Sequence, residues 1–277
     1  QGPSARRRRE RRRMSLRFTI LGCGSSGGVP RIGAGWGKCD PTNPRNRRRR
    51  CALLVERRGP RGTTAALIDT PPDLREQLLS VRAEALDAVL FTHDHADHTH
   101  GIDDLRMVAY AMRKRVPCYF DAATHASIVS RFAYCFVQPT GSTYPPILSA
   151  ELLKSGEALR VEGAGGVIEA LPIRQFHGDI ETLAFRFGNV AYSPDVSALP
   201  LDSMPLLEDL DLWIVDALRY MPHPSHFSVK EALDNIARLR AKRAILTHMT
   251  TDLDYDALKR ELPAHIEPAY DNMVIEA

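Results

Sequence analysis

Four short apolar runs in this chain stop at a histidine or an aspartate. They are "LID" ending at Asp69, "AVLFTH" at His93, "VAYSPD" at Asp195 and "AILTH" at His248. A buried strand carries few polar atoms, so an ionisable side chain repeated at strand ends marks a place rather than a composition. In open α/β sheets the crevice beyond the carboxyl ends of the strands is where ligands bind. The feature therefore points to a layered α/β fold with one functional edge.

The rest of the chain supports that fold class. "LRFTILG" alternates apolar and polar residues and stops at glycine, as a first strand does. "CALLVE", "AALID", "VPCYF", "VIEALPI", "TLAFRF", "VAYS", "DLWIVDA", "RAILTH" and "MVIEA" read as further strands. "PPDLREQLLSVRA", "THGIDDLRMVAYAMRK", "THASIVSRFAYCF", "HFSVKEALDNIARLR" and "DYDALKREL" have apolar residues at helical spacing. Ser228 and Glu231 form the pattern of a capping box. Residues 22–46 read as a long Gly/Pro/Asn-rich loop, and residues 138–156 as irregular. No repeat of solenoid period occurs. Strands alternate with helices in both halves, which predicts layers around one core.

Composition limits the alternatives. The chain has 277 residues, and no apolar stretch is long enough to span a bilayer. Five scattered cysteines without a CxxC pair point to reduced thiols and a cytoplasmic location. Charge is uneven: residues 1–61 hold 18 Lys+Arg against 3 Asp+Glu, leaving 19 against 31 in the remainder. Residues 1–13 read as a tag remnant and an Arg-rich leader, with Met14 as the natural start of one domain over 14–277. The run Arg45–Arg50 has two readings, a phosphate or nucleic-acid surface and a solvated basic loop. The second is preferred, because no aromatic residue interleaves with the arginines as a stacking platform requires.

"HDHADHTHG", His93 to Gly101, concentrates the chemistry. In an extended chain residues two apart face one side, so His93 and His95 can address one ion. A turn brings Asp97 and His98 to a neighbouring position. Imidazole and carboxylate suit Zn, Mn or Fe. Four side chains on one loop cannot fill two ions, so distant partners are needed. His177, Asp195 and His248 stand at strand or loop ends downstream. Asp94 and His100 read as loop residues, His100 within reach of a substrate, and Gly101 as the residue that lets the loop turn into its helix.

In this arrangement the chain resembles the metallo-β-lactamase superfamily. "HDHADHTHG" meets every position of that family's His-x-His-x-Asp-His-x-x-Gly signature, and Asp69, His177, Asp195 and His248 follow its order. The resemblance covers about residues 15 to 277. It implies an αββα sandwich with two divalent metal ions, Mn(2+) or Zn(2+), at the sheet edge. His93, His95 and His177 would hold one ion, Asp97, His98 and His248 the other, and Asp195 would bridge them. Asp69 would orient a ligand from behind.

Within the superfamily, "LGCGSSGGVPR" is similar to the Gly-rich loop of the phosphodiesterase branch, shared by tRNase Z and PhnP-type enzymes. Ser25 and Ser26 in it are substrate-binding candidates, because such loops offer backbone N–H groups to phosphate. "HPSHFSVKEAL" resembles the segment that carries an extra histidine. His226 matches it as acid or transition-state stabiliser, with Asp97 the other catalytic candidate and His223 a nearby rival for substrate. PhnP-type proteins also carry a cysteine and histidine cluster for a structural zinc. Here only Cys39 is kept, so no structural zinc is expected.

The implied activity is metal-dependent hydrolysis of a small cyclic or nucleotide-like phosphodiester. The alternatives are a tRNase Z-like endoribonuclease, a thioesterase or lactonase, and a non-enzymatic RNA-binding or metal-sensing module. Nucleic acid is the less favoured partner, no membrane is implied, and a homodimer stays open.

Overall fold

A computed structural model describes residues 16–277. The expected tag remnant and leader lie outside the described residues, and so does Met14. Two seven-stranded sheets stack face to face with helices on both outer faces, which is the expected αββα sandwich.

The first sheet runs β14-β1-β2-β3-β4-β5-β6. Its strands are β1 (Leu16–Gly22), β2 (Ala52–Gly59), β3 (Gly62–Ile68), β4 (Ala88–Leu90), β5 (Val116–Phe120), β6 (Leu148–Leu152) and β14 (Met273–Glu276). The second runs β13-β12-β11-β10-β9-β8-β7. It comprises β7 (Leu159–Val161), β8 (Ile168–His177), β9 (Ile180–Phe187), β10 (Val190–Ser193), β11 (Leu212–Asp216), β12 (Ala244–Thr247) and β13 (Ile266–Pro268). Pairings are antiparallel from β14 to β3 and from β7 to β10. They are parallel from β3 to β6 and from β10 to β13. The two halves thus share one layout.

Period-two alternation sorts the side chains. On β2, Leu53 and Val55 point into the core between the sheets, where they join Ile168, Ala184 and Phe185. Ala52 and Leu54 point the other way, toward Leu74 and Leu78 of helix α1 (Leu74–Val81) and Leu105 and Val108 of helix α3 (Leu105–Met112). A strand buried on both faces reads as a continuous apolar run, and "ALLV" does. Helices α6 (Val229–Arg238) and α7 (Tyr255–Glu261) cover the far side of the second sheet with Ala232, Ile236 and Leu258. The capping box of Ser228 and Glu231 is present at the start of α6.

Four expectations are corrected. Residues 138–156 are not wholly irregular, because β6 pairs in parallel with all of β5. The helix expected from Thr99 to Lys114 is three pieces: α2 (Ala96–Thr99), a 3-10 turn (Ile102–Asp104) and α3. The helix expected from Thr124 to Phe136 breaks at Phe132 into α4 (Ala122–Arg131) and α5 (Ala133–Phe136). The Arg45–Arg50 run is a solvated loop only in part, at the exposed Arg45 and Arg47. Arg48 is buried at 2% exposure, Arg49 and Arg50 are paired with Asp271 and Asp73, and Arg45 and Arg47 lie over the rings of Tyr255, Tyr270 and Trp36. The aromatic partners come from elsewhere in the chain, so the run itself does not display them. No helix among the described residues is long and apolar enough to cross a membrane.

Candidate metal centre

Register places the cluster. Ile68 of β3 pairs with Leu90 of β4, so Asp69 and the Phe91–Thr92–His93 segment leave the first sheet side by side. In the second sheet Ser193 pairs with Val215, and Asp216 with Thr247, so Asp195, Asp216 and His248 leave together. His177 is the last residue of β8, whose direction matches β10. All seven residues expected as ligands therefore meet at one edge of the sandwich.

They form two groups that share Asp195: His93, His95, His177 and Asp195, and Asp97, His98, Asp195 and His248. Asp195 Oδ2 lies 3.8 Å from His93 Nε2 and 3.7 Å from His177 Nε2. Its Oδ1 lies 3.1 Å from both His98 Nε2 and His248 Nε2. Asp97 Oδ2 is 3.6 Å from His98 Nε2 and 3.8 Å from His248 Nε2.

Hydrogen bonds behind the rings set the tautomers. The Asp69 carboxylate accepts from the Thr92 backbone N–H and hydroxyl, each at 2.8 Å. His98 Nδ1 donates to the same carboxylate at 2.7 Å. The Thr92 hydroxyl spends its proton on Asp69, so it accepts from His93 Nδ1 at 2.9 Å. His177 Nδ1 donates to the Ser225 carbonyl at 2.5 Å. In each of these three rings Nδ1 is taken by the outer acceptor, so Nε2 is the nitrogen that faces inward. Asp69 thus orients two histidines, one directly and one through Thr92, as carboxylates behind metal-bound imidazoles do.

The inward atoms lack other partners. His93 Nε2, His98 Nε2, His248 Nε2 and Asp195 Oδ1 are buried without a hydrogen bond. Buried polar atoms are ordinarily satisfied, and a convergent set of unsatisfied lone pairs fits metal ions. The electrostatics agree. Burial pulls the His98 imidazole down, but Asp195, Asp69 and Asp97 overrule it and hold it well above its usual range. Burial pushes Asp97 up, yet the charges of His98 and His248 hold it far below the usual carboxylate range. The second group is a place that favours positive charge.

Backbone geometry supports the same edge. Asp69, Asp195 and His248 have φ of 64°, 43° and 58°, in the left-handed region that non-glycine residues avoid. Such strain costs about 1 kcal/mol or more per residue and gathers at functional sites. Gly101 is corrected in its role. Its φ is −94°, an ordinary value, but a Cβ there would lie 2.0 Å from the Pro71 carbonyl oxygen. The signature's glycine is needed for space, because the Asp69 loop presses against it.

His226 sits over both groups. Its ring is 4.7 Å from that of His248 and 4.5 Å from that of His177. Its Nδ1 bonds Asp216 Oδ2 at 2.8 Å, and the other oxygen of Asp216 is 3.8 Å from His248 Nδ1. Asp216 was not foreseen. It is fully buried and ends the strand run "DLWIVD" as Asp69 ends "LID", which is the signal that marks it. Burial pushes its carboxyl up.

The remaining candidates separate. His223 is half-buried, with its ring 5.2 Å from His226 and its Nδ1 on Ser225. Ser25 is buried, its hydroxyl accepts from Arg31, and its N–H donates to the carbonyl of Met249, next to His248. Ser26 is exposed. His100 packs on Phe132 and belongs to neither group. Asp94 faces away to Ser127 and Arg131 of α4, a brace that was also unforeseen. Cys39 lies against Arg48 and the carbonyls of Thr251 and Leu253.

The family model of the beta-lactamase superfamily domain matches residues 64–249, which span every residue of both groups. The chain belongs to that superfamily. A solved diphosphatase of the PhnP family is similar to this superfamily member at 34% identity, with TM-score 0.85, covering 95% of this chain and 98% of that one. The short form of human tRNase Z shares the fold, at 21% identity and TM-score 0.61 over 94% of this chain and 98% of that one. Among curated proteins, an octanoyltransferase of Porphyromonas gingivalis is 30% identical over 93% of this chain. The chain spans about half of that protein, 51% of its length.

Proposed function

We propose that the protein is a metal-dependent phosphodiesterase acting on a small cyclic or nucleotide-like phosphodiester. One observation carries the reading: two groups of inward-facing nitrogens and carboxylates share Asp195, and His226 lies over both. His93, His95 and His177 would hold one ion, Asp97, His98 and His248 the other, with Asp195 between them. Two divalent ions, Mn(2+) or Zn(2+), supply a water of lowered pKa and positive charge for phosphate oxygens.

The protein's own groups do the rest. Asp69, Thr92 and the Ser225 carbonyl keep His98, His93 and His177 in the tautomer that points Nε2 inward. His226 gives its Nδ1 proton to the bond with Asp216, which leaves Nε2 as the atom free to face a leaving group. In its protonated form the ring delivers a proton to the departing alkoxide, and the bond to Asp216 holds the ring in place for that transfer. The site edge is open at His95, the exposed member of the first group.

A phosphoanhydride is the second reading, favoured by the likeness to a diphosphatase. The test is one panel with metal-loaded protein: bis-p-nitrophenyl phosphate, a nucleoside diphosphate, an octanoyl thioester and a precursor tRNA. Turnover of the diester, lost together with bound metal in Asp195→Asn, is the expected result. Turnover of the thioester or tRNA alone would replace this reading.

A further inference from the structure

Among the described residues, Arg48 is the most buried charge outside the candidate metal centre, at 2% exposure. Its neighbours Arg49 and Arg50 pair with carboxylates, whereas Arg48 forms no ion pair among the described residues. A buried guanidinium without a carboxylate is costly unless its N–H groups are used. Nη1 and Nη2 are used on one segment, while Nε has no hydrogen-bond partner. Nη1 donates to the Thr250 carbonyl at 3.0 Å, and Nη2 donates to the Leu253 carbonyl at 2.6 Å. Both carbonyls belong to the turn that begins two residues after His248.

The surrounding loop reinforces that grip. The Lys38 N–H donates to the Thr251 carbonyl at 2.8 Å. The Cys39 thiol reaches the Thr251 and Leu253 carbonyls at 3.6 and 3.4 Å. Asn46 bonds Asp254 through its amide nitrogen and accepts from the Tyr255 N–H at 2.8 Å. Gly37 makes the approach possible. Its φ is +56°, and a Cβ there would lie 2.7 Å from the Thr251 Cβ. Residues 37–48 thus close over residues 250–255, with the Arg48 fork at the centre.

His248 is the residue this clamp reaches. Its backbone is left-handed, at φ 58°, a conformation that persists only when its surroundings over-determine it. Upstream it is fixed by strand β12 and downstream by the segment that Arg48 holds. Its Nε2 must stay near Asp195 and Asp97 to complete the second group. We infer that Arg48 is a positioning residue for His248, its guanidinium fork holding the 250–253 turn so that the second metal position is complete. This rests on the two-ion reading above. Neither Lys nor Met replaces the fork, because the two carbonyls need donors at fixed separation.

The experiment compares wild type with Arg48→Met, Arg48→Lys and the control Arg49→Met, each chelator-treated and titrated with Zn(2+) by calorimetry. The metal position affected is then located by anomalous diffraction at the zinc edge. Wild type and Arg49→Met are expected to take up two ions alike. Arg48→Met is expected to bind one ion normally and the other at least tenfold more weakly, with the anomalous signal lost at Asp97, His98 and His248. Arg48→Lys is expected to fall between, and it carries the comparison if Arg48→Met does not fold. Two ions bound with wild-type affinity in the Arg48 variants, whatever their melting temperature, overturn the inference alone. Fewer than two ions in wild type overturn the two-ion reading and this inference with it.

Discussion

His226 and Asp216 show how one residue pair divides the chemistry. The histidine touches the rings of both ligand groups, and the aspartate holds its far nitrogen. A proton donor matters only as far as the leaving group needs a proton. His226→Ala should therefore lower kcat about 10²-fold or more on an alkyl phosphodiester. It should lower kcat much less on bis-p-nitrophenyl phosphate, whose nitrophenolate departs unaided. Equal losses on both substrates would rule out the acid role. Asp216→Asn keeps the shape but replaces an acceptor with an amide, so it should cost about 10-fold or more in the same alkyl assay. Bound metal, measured by mass spectrometry, should change less than in Asp195→Asn. His226 was legible through the family's segment before a helix. Asp216 was not, because a buried aspartate at a strand end has no neighbouring histidine in the sequence to mark it. Its partners lie 10 and 32 residues downstream, and only strand register joins them.

Elements were legible where both faces of a strand or one stripe of a helix are buried. β1, β5 and β10 have the expected bounds, since an apolar run bounded by turn residues leaves little choice. The strands that escaped are β6, β7 and β13, and each lies at a sheet edge. An edge strand has one pairing partner and carries polar or small residues, so "LSAEL" and "LRV" lack the pattern. Helix breaks escaped for a related reason. The α4–α5 break falls at Phe132, whose φ of −121° and ψ of 36° are not helical, with no proline or glycine there to mark it. The α6 cap was legible because a capping box is local chemistry. It begins two residues after His226, and the Phe227 N–H donates to the Val196 carbonyl beside Asp195. Ser228→Ala should cost about 1 kcal/mol and lower the melting temperature by about 2–4 °C. Its kcat on the alkyl diester should fall by far less than in His226→Ala. A calorimetric scan and that assay check both halves.

The whole molecule joins two sheets whose matching edges supply different members of the two groups. His93, His95, Asp97 and His98 follow the first sheet, while His177, Asp195 and His248 follow the second. The candidate metal centre is therefore also a contact between the halves, and its protonation bears on global stability. Burial holds the His93 and His226 imidazoles below their ordinary range, and His177 at about 4. A histidine with a depressed folded-state pKa stabilises the fold above its unfolded value of about 6.5. That stability is lost as pH falls through the folded value. The lowered carboxyls of Asp97 and Asp195 act in the same direction at lower pH. His98, raised by its carboxylates, is already protonated in this window and does not offset the loss. Chelator-treated protein should therefore melt at progressively lower temperature from pH 6.5 to pH 4. Metal-loaded protein should melt higher at pH 7, since a ligand that binds only the folded state stabilises it by mass action. Protons compete with metal for the same nitrogens, so the two melting curves should converge on acidification. Melting temperatures that ignore chelation at pH 7 would mean that the two sheets hold together without ions, and would remove the metal centre from the stability of the sandwich.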